Sequence, residues 1–400
     1  MRLARLASVD DAAAGECHDA PVATRTLAHV TPASLRWARE SIGYSIEEAA
    51  EHIGVRFWQL EAAEDGVDLL TLRQAEKAAD FYQRPLVALF LPEPPEEIPQ
   101  EQQFRRLPGA PTPPWPPAMN ALVRRVRDRQ DAAADLFERL EETPAWPLIK
   151  RPAVVPNWPD FVRTLLKVSL SEQQSWHDPA GYTGMRRWVD AVESLGVLVM
   201  QDGSLDLDQM RGFAALDPVV PAVVLNTNDD VRARVFTLIH ELVHLLLDAL
   251  KDQAPAASRG DPERWCDEIA GEFLMPERQF ESIFLRAPGI PARKVDAAAL
   301  SFGVTPRAAL TQASRRGLVT FDEAQLVLDD IRKRRPRAKA SGGNPHRNRI
   351  GQLGPSYSRL VLTAVETRVI TYSMGARLLG AKANHFPRLH EVLAERDSSA

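Results

Sequence analysis

From Val231 to Leu250 the chain runs without a glycine or a proline, and at its centre stands His240-Glu241-Leu242-Val243-His244. Asn228, Asp229 and Asp230 precede the run and supply an N-cap and acids for a helix start. Val235, Phe236, Leu238, Ile239, Leu242, Val243 and Leu245 to Leu247 make that helix apolar nearly all round, which predicts a core helix. It is too short, and too polar at its centre, to cross a membrane. Residues four apart lie on one helical face, so both imidazoles can grip one metal ion. The Glu between them then becomes a candidate general base, the pattern of a zinc hydrolase. Two His and a Glu in an apolar wall need partners, and a cation satisfies all three at once. The alternative is a buried amphipathic helix whose two histidines are merely hydrogen-bonded.

A catalytic zinc site needs a third protein ligand and an open position. Asp261 followed by Pro262 is a strong helix start, with N-cap and first helical position filled. Glu263 and Asp267, four apart, share a face that continues through Ala270 and Leu274 towards a core. Arg264, Glu268 and Glu272 fall on another face, where Arg264 and Glu268 form an exposed pair. Glu263 is therefore the expected third ligand. Asp267 is expected behind the ligands, holding a ligating His in its metal-binding tautomer. The competing reading of Glu263 is an acid favoured in a first turn by the helix dipole.

The HELVH helix, the Glu263-x-x-x-Asp267 spacing and the following Ala270 to Pro276 (AGEFLMP) together resemble the ImmA/IrrE family of metallopeptidases. The resemblance implies a gluzincin-like site with Zn2+ on His240, His244 and Glu263, and Glu241 as general base. Many members carry Asn where Asp267 stands. The fold class expected is α+β: a zincin-like core with a small antiparallel or mixed sheet, preceded by an all-α helix-turn-helix domain and followed by helical extensions. Leu195 to Gln201, Gly212 to Leu216 and Ala222 to Asn226 (AVVLN) read as its strands. The resemblance suggests AVVLN as the edge strand that pairs with an extended peptide substrate. The other reading of AVVLN is a plain core strand. Tyr182 and His177 are candidates for stabilising an oxyanion.

Residues 31–92 read as short helices. Ser45-x-x-Glu48 and Thr71-x-x-Gln74 are capping boxes. Ala50-x-x-x-Gly54-x-x-x-x-x-Leu60 has helix-turn-helix spacing, and the segment resembles the Cro/repressor-type (XRE) helix-turn-helix. Arg56, Phe57, Trp58 and Gln59 are the candidate contacts to DNA or to a partner. A small helical bundle without DNA binding is the alternative. This segment carries ten acidic residues against six basic ones, and the whole chain is at −5. DNA affinity comes largely from neutralising phosphates, so a net-negative module is a poor DNA binder on its own. Homodimerisation, or recognition of another helix-turn-helix protein through Phe57 and Trp58, competes with base reading.

The remaining organisation follows composition. Residues 1–30 read as a loose tail and 93–117 as a Pro-rich linker containing Gln103-Phe104-Arg105-Arg106, similar to the signature that follows the helix-turn-helix in such fused proteins. The peptidase domain is expected over 118–285. It includes a long charged helix from Met119 to Glu142, read as a spacer, and amphipathic helices over 161–170 and 185–195. A helical extension over 286–334 follows, with the helix-turn-helix-like run 297–305. Then come a basic linker and a C-terminal helical, helix-turn-helix-like domain over 335–400. The linker bases (Arg332 to Arg335, Arg337, Lys339) read as solvated. Arg359, Arg368, Arg377, Lys382 and Arg388 make the C-terminal end the better nucleic-acid candidate.

Hydrophobic content of 44% and charged content of 26% are those of a soluble globular protein. Two cysteines, Cys17 and Cys266, are too few for a disulfide scaffold, and no signal peptide or membrane span is expected, which fits the cytoplasm. The leading functional expectation is a cytoplasmic zinc endopeptidase that cleaves a helix-turn-helix repressor and so derepresses its genes. The alternatives are a DNA-binding regulator with a sensory peptidase-like domain, and an antitoxin-like component with a toxin partner.

Overall fold

The computed structural model describes residues 26–95, 115–149, 152, 154–176, 178, 181–334 and 344–398. Cys17, the 103–106 signature, His177 and the linker bases Arg335, Arg337 and Lys339 lie outside the described residues. The chain splits into two compact units, Met1–Glu96 and Glu97–Ala400. Among the described residues no helix is long and apolar enough to cross a membrane.

In the first unit β1 (Leu27–Ala28) leads into helices α1 (Pro32–Glu40), α2 (Ile46–Ile53) and α3 (Phe57–Glu64), followed by β2 (Leu70–Thr71) and α4 (Leu72–Phe81). The two strands pair antiparallel. Both capping boxes form: Ser45 and Thr71 accept from the backbone of Glu48 and Gln74, whose side chains reach back. α2 stops at Gly54, whose φ of 79° suits a residue without Cβ, and Val55 N–H closes the turn on Ala50 O at 2.9 Å. Leu35, Ile42, Ile53, Leu60, Leu70 and Tyr82 fill the core. Arg39 Nε and Nη2 each donate to the Glu64 carboxylate at 2.8 Å, a buried fork that ties α1 to α3.

The second unit is a mostly helical α+β structure around one small sheet. Its elements begin with α5 (Pro117–Arg139), α6 (Trp158–Leu166), α7 (Leu170–Ser175) and α8 (Tyr182–Glu193). Three strands follow, β3 (Leu198–Asp202), β4 (Gly212–Ala215) and β5 (Ala222–Asn226). After them come α9 (Val231–Ala249), α10 (Ala256–Gly260), α11 (Pro262–Leu274), α12 (Glu277–Arg286), α13 (Pro291–Phe302), α14 (Pro306–Arg315) and α15 (Phe321–Lys333). The chain closes with α16 (Pro345–Leu353), α17 (Pro355–Glu366), α18 (Tyr372–Leu379) and α19 (Phe386–Ser398). The helix expected over 161–170 is two helices. Lys167 turns left-handed at φ 53°, and Ser169 caps the second helix by accepting from Glu172 N–H.

The sheet order is β3-β5-β4. β5 runs parallel to β3, with Leu198 opposite Ala222, and antiparallel to β4, with Phe213 opposite Val224. This corrects the expectation for AVVLN. It is the central strand, buried at all five positions, and its backbone groups are taken on both sides. Among the described residues β3 and β4 are the outer strands of this sheet.

Side chains alternate across the sheet and feed two cores. Val199, Ala214, Val223 and Leu225 face one core with α6, α8, α9 and α11 to α15. Leu198, Met200, Phe213 and Val224 face the other, filled by α5 and by the C-terminal helices α16 to α19. The expected charged spacer is thus a core helix: Met119, Leu122, Val123, Val126 and Leu136 form a buried stripe against the sheet. Gln130 on the same helix donates to the carbonyls of Ala215 and Val220.

Glu193, at the end of α8, joins the two halves of this unit. Its buried carboxylate accepts from Ser356 N at 3.0 Å and Ser356 Oγ at 2.8 Å, at the N-terminus of α17. Burial pushes its carboxyl up from 4.5 to about 7, against the opposing pull of Ser356 and Arg396. Between those two values the folded chain holds a proton that the unfolded chain releases. This stabilisation is therefore full below pH 4.5 and is lost as pH rises through 7. The unfolding free energy of wild type minus that of Glu193→Gln should fall by about 3 kcal/mol across that window. Denaturant titrations at several pH values measure it, and a pH-independent difference contradicts the account.

Candidate metal centre

α9 starts on Asp230, whose side chain accepts from Arg232 N–H, and its middle is buried on every side. Such a helix presents no solvent-facing stripe, so His240, Glu241 and His244 are all buried. The four-residue spacing sets the two imidazoles edge to face, with ring centroids 4.7 Å apart, and brings their Nε2 atoms to 3.0 Å. α11 packs beside it. Asp261 caps that helix by accepting from Arg264 N–H at 3.1 Å, Pro262 occupies its first turn, and Glu263 follows at once. Trp265, Cys266, Ala270 and Phe273 then bury against α9 and its neighbours.

Glu263 Oε2 lies 3.2 Å from His240 Nε2 and 3.3 Å from His244 Nε2. Donors about 2.0–2.1 Å from a zinc ion at the corners of a tetrahedron sit roughly 3.3 Å from one another. The three atoms of this trio thus already stand at the separations that three corners of such a site require. The donor set, two imidazole nitrogens and a carboxylate oxygen, suits the same ion. Glu263 is 58% exposed at its side chain, so the trio opens to solvent on that side while the histidines close the other. His240 and His244 hold the Glu263 carboxyl well below the usual carboxylate range.

Around the trio, Asp267 Oδ1 comes within 2.9 Å of His240 Nδ1, close enough to orient the ring although not aligned as a straight hydrogen bond. Burial disfavours the His240 imidazolium, but Asp267 and Glu263 outweigh it and push the group up to about 10. His244 Nδ1 faces Cys266 Sγ at 3.5 Å. Burial, together with the carboxylates of Glu263, Glu241 and Asp267, pushes the Cys266 thiol well up, so it stays protonated. Arg264 and Glu268 pair on the exposed side at 3.1 Å, and Glu272 turns away to Arg316.

Glu241 points elsewhere. It is not among the three converging donors, and its Oε2 is buried with no hydrogen-bond partner among the described residues. The backbone amide of Ala214 on edge strand β4 interacts with the same carboxylate. Burial, helped by Glu263 and Asp267 and opposed by His240, pushes Glu241 up to about 8. α9 and β4 come this close because of a glycine. A Cβ on Gly212 would stand 2.5 Å from Thr237 Cγ2 and 2.9 Å from the Val224 carbonyl oxygen.

The other candidate residues belong to other elements. Gly181, beside Tyr182, abuts Arg232, two turns before His240 and about 12 Å from it along the helix axis. Tyr182 itself is exposed and interacts with Arg234 on the same helix. Arg56, Phe57, Trp58 and Gln59 lie in the first compact unit, at the start of α3. Phe57 is 53% and Trp58 49% exposed, and the Arg56 guanidinium lies 5.9 Å from the Trp58 ring centroid. In the C-terminal helices Arg359 pairs with Asp397 and Arg388 with Glu391, which neutralises part of the expected basic face.

Sequence reasoning missed two neighbours of the site. Cys266 was legible, since it sits one turn after Glu263 on the helix carrying the third donor. The Ala214 amide was not, because a backbone group carries no sequence signal.

Residues 192–313 match the model of the IrrE N-terminal-like domain, a peptidase family M78 domain. The match runs from the end of α8 into α14 and contains all three strands, both site helices and every donor described above. It supports a metallopeptidase-type function for this segment. No curated protein and no solved structure matches the chain.

Proposed function

We propose that this chain is a zinc-dependent endopeptidase with a zincin-like core, whose natural substrate is a helix-turn-helix repressor. The observation that carries the reading is the convergence of His240 Nε2, His244 Nε2 and Glu263 Oε2 within 3.3 Å of one another, beside a buried carboxylate that none of them uses. His240, His244 and Glu263 would hold the ion, which when bound would lower the pKa of water and polarise a carbonyl. Glu241 accepts the proton from the attacking water and passes it to the leaving amine. Ala214 steadies Glu241 through its amide, and burial, which disfavours the bare carboxylate, raises the affinity of Glu241 for a proton.

The peptide lies along β4, the edge strand beside α9, rather than along β5. Asn226 N–H donates to Arg211 O, so the alternating antiparallel ladder leaves Gly212 and Ala214 with backbone groups facing away from β5. An extended substrate adds there as a further strand, through the Gly212 groups and the Ala214 carbonyl, since the Ala214 amide is held by Glu241. Cleavage at an edge strand favours a protein substrate with an exposed or locally unfolded segment.

The first unit acts as a docking module in this account. The support is its acidic balance together with Phe57 and Trp58, which stand half-exposed where a DNA-reading helix needs bases and amides. An aromatic pair fits the apolar patch of a protein partner better than a phosphate backbone. The test is incubation with the repressor encoded beside this gene, with zinc and with a chelator. A discrete fragment that appears with zinc and vanishes on chelation is expected. An intact repressor, with peptides from an unbiased library still cut in a zinc-dependent way, contradicts the substrate assignment and leaves the peptidase reading standing.

A further inference from the structure

We propose that Cys266 is the positioning residue for His244: its sulfur accepts the Nδ1–H of that ring and so directs the Nε2 lone pair at the metal. This rests on the metal reading of the trio. A histidine that ligates through Nε2 carries its proton on Nδ1, and the group that accepts this proton sets both tautomer and ring angle. For His240 the group facing Nδ1 is the Asp267 carboxylate, 2.9 Å away. For His244 the group that meets Nδ1 is Cys266 Sγ at 3.5 Å, a normal reach for the larger sulfur atom.

The placement follows from α11. Glu263, Cys266 and Asp267 lie within one turn and a residue of each other, so a single short stretch of helix supplies the third donor and both ring-orienting groups. Cys266 is wholly buried, and its neighbours Trp265 and Ala270 hold it against α9. The two histidines are therefore steadied unequally. His240 meets a carboxylate that strengthens it as a donor, whereas His244 meets a neutral, weakly accepting sulfur. A second carboxylate in place of Cys266 would bring another negative charge beside Glu241 and Glu263. The sulfur orients the ring without adding that charge.

Two variants of the full chain separate this role from simple packing. Cys266→Ala removes the acceptor and shrinks the side chain, while Cys266→Val removes the acceptor and fills the space. Zinc affinity is read by competition with a chelating dye at fixed pH. The exchangeable ring N–H resonances of the two histidines are read by proton NMR on the cobalt-substituted protein. Both variants should bind zinc about tenfold more weakly than wild type. In both, the His244 N–H resonance should disappear into solvent exchange while that of His240 persists. Wild-type zinc affinity and an unchanged His244 resonance in either variant overturn the proposal, whatever happens to thermal stability. Failure of the wild-type chain itself to bind zinc instead overturns the metal reading on which it rests.

Discussion

Glu241→Gln should cut peptide-bond cleavage by about a thousandfold while zinc affinity stays within about threefold of wild type. The amide matches the carboxylate in size, so α9 keeps its packing, and Glu241 is not one of the converging donors. What changes is proton transfer. Glu241 has one buried oxygen without a partner among the described residues, and burial raises its affinity for a proton. An amide cannot take that proton. The measurement is the rate of fragment formation with zinc content determined on the same samples. A variant that retains a tenth or more of wild-type cleavage removes Glu241 as the base, and one that has lost its zinc makes it a ligand.

The second large effect is expected at Glu263. Its side chain is 58% exposed, so Glu263→Ala leaves no cavity and should change stability by less than about 1 kcal/mol. Zinc affinity should nevertheless fall by more than about a hundredfold, since loss of a donor costs more than loss of a group behind one. His240 and His244 would remain as a two-nitrogen pair 3.0 Å apart. Cleavage should be lost with the metal. This pattern, an unchanged fold with lost metal and lost activity, distinguishes a ligand from an acid that merely favours its helix N-terminus. Equal zinc affinity in variant and wild type would return Glu263 to that plain helical role.

Much of this centre was legible because helices announce themselves. The run from Val231 to Leu250 gave a buried helix, and the four-residue spacing put both imidazoles on one face. Asp261-Pro262 set the start of the next helix to the residue, which is why Glu263 and Asp267 could be picked out from the sequence. The capping boxes at Ser45 and Thr71 are local chemistry of the same kind, and both formed. The sheet was less legible. AVVLN is apolar at four of five positions, and such a run reads equally as an edge or a centre, because strand order depends on which partners the rest of the chain supplies. β3 returns parallel to β5 by way of β4, and no local signal encodes that return. The charged helix over 117–139 was misread for a related reason: its many arginines mask a narrow apolar stripe that matters only once a sheet lies beneath it. Contacts such as Cys266 to His244 required two helices to be set at a definite distance, which periodicity does not supply.

The most direct test of the central claim needs no substrate. Wild-type chain and Glu263→Ala, each equilibrated with zinc and freed of excess, are measured for bound metal by elemental mass spectrometry, with circular dichroism as the control for folding. About one zinc per chain in wild type, and close to none in a variant with the same spectrum, is the predicted result. No bound zinc in the wild-type chain, or the same zinc content in both, contradicts the assignment of His240, His244 and Glu263 as a metal centre.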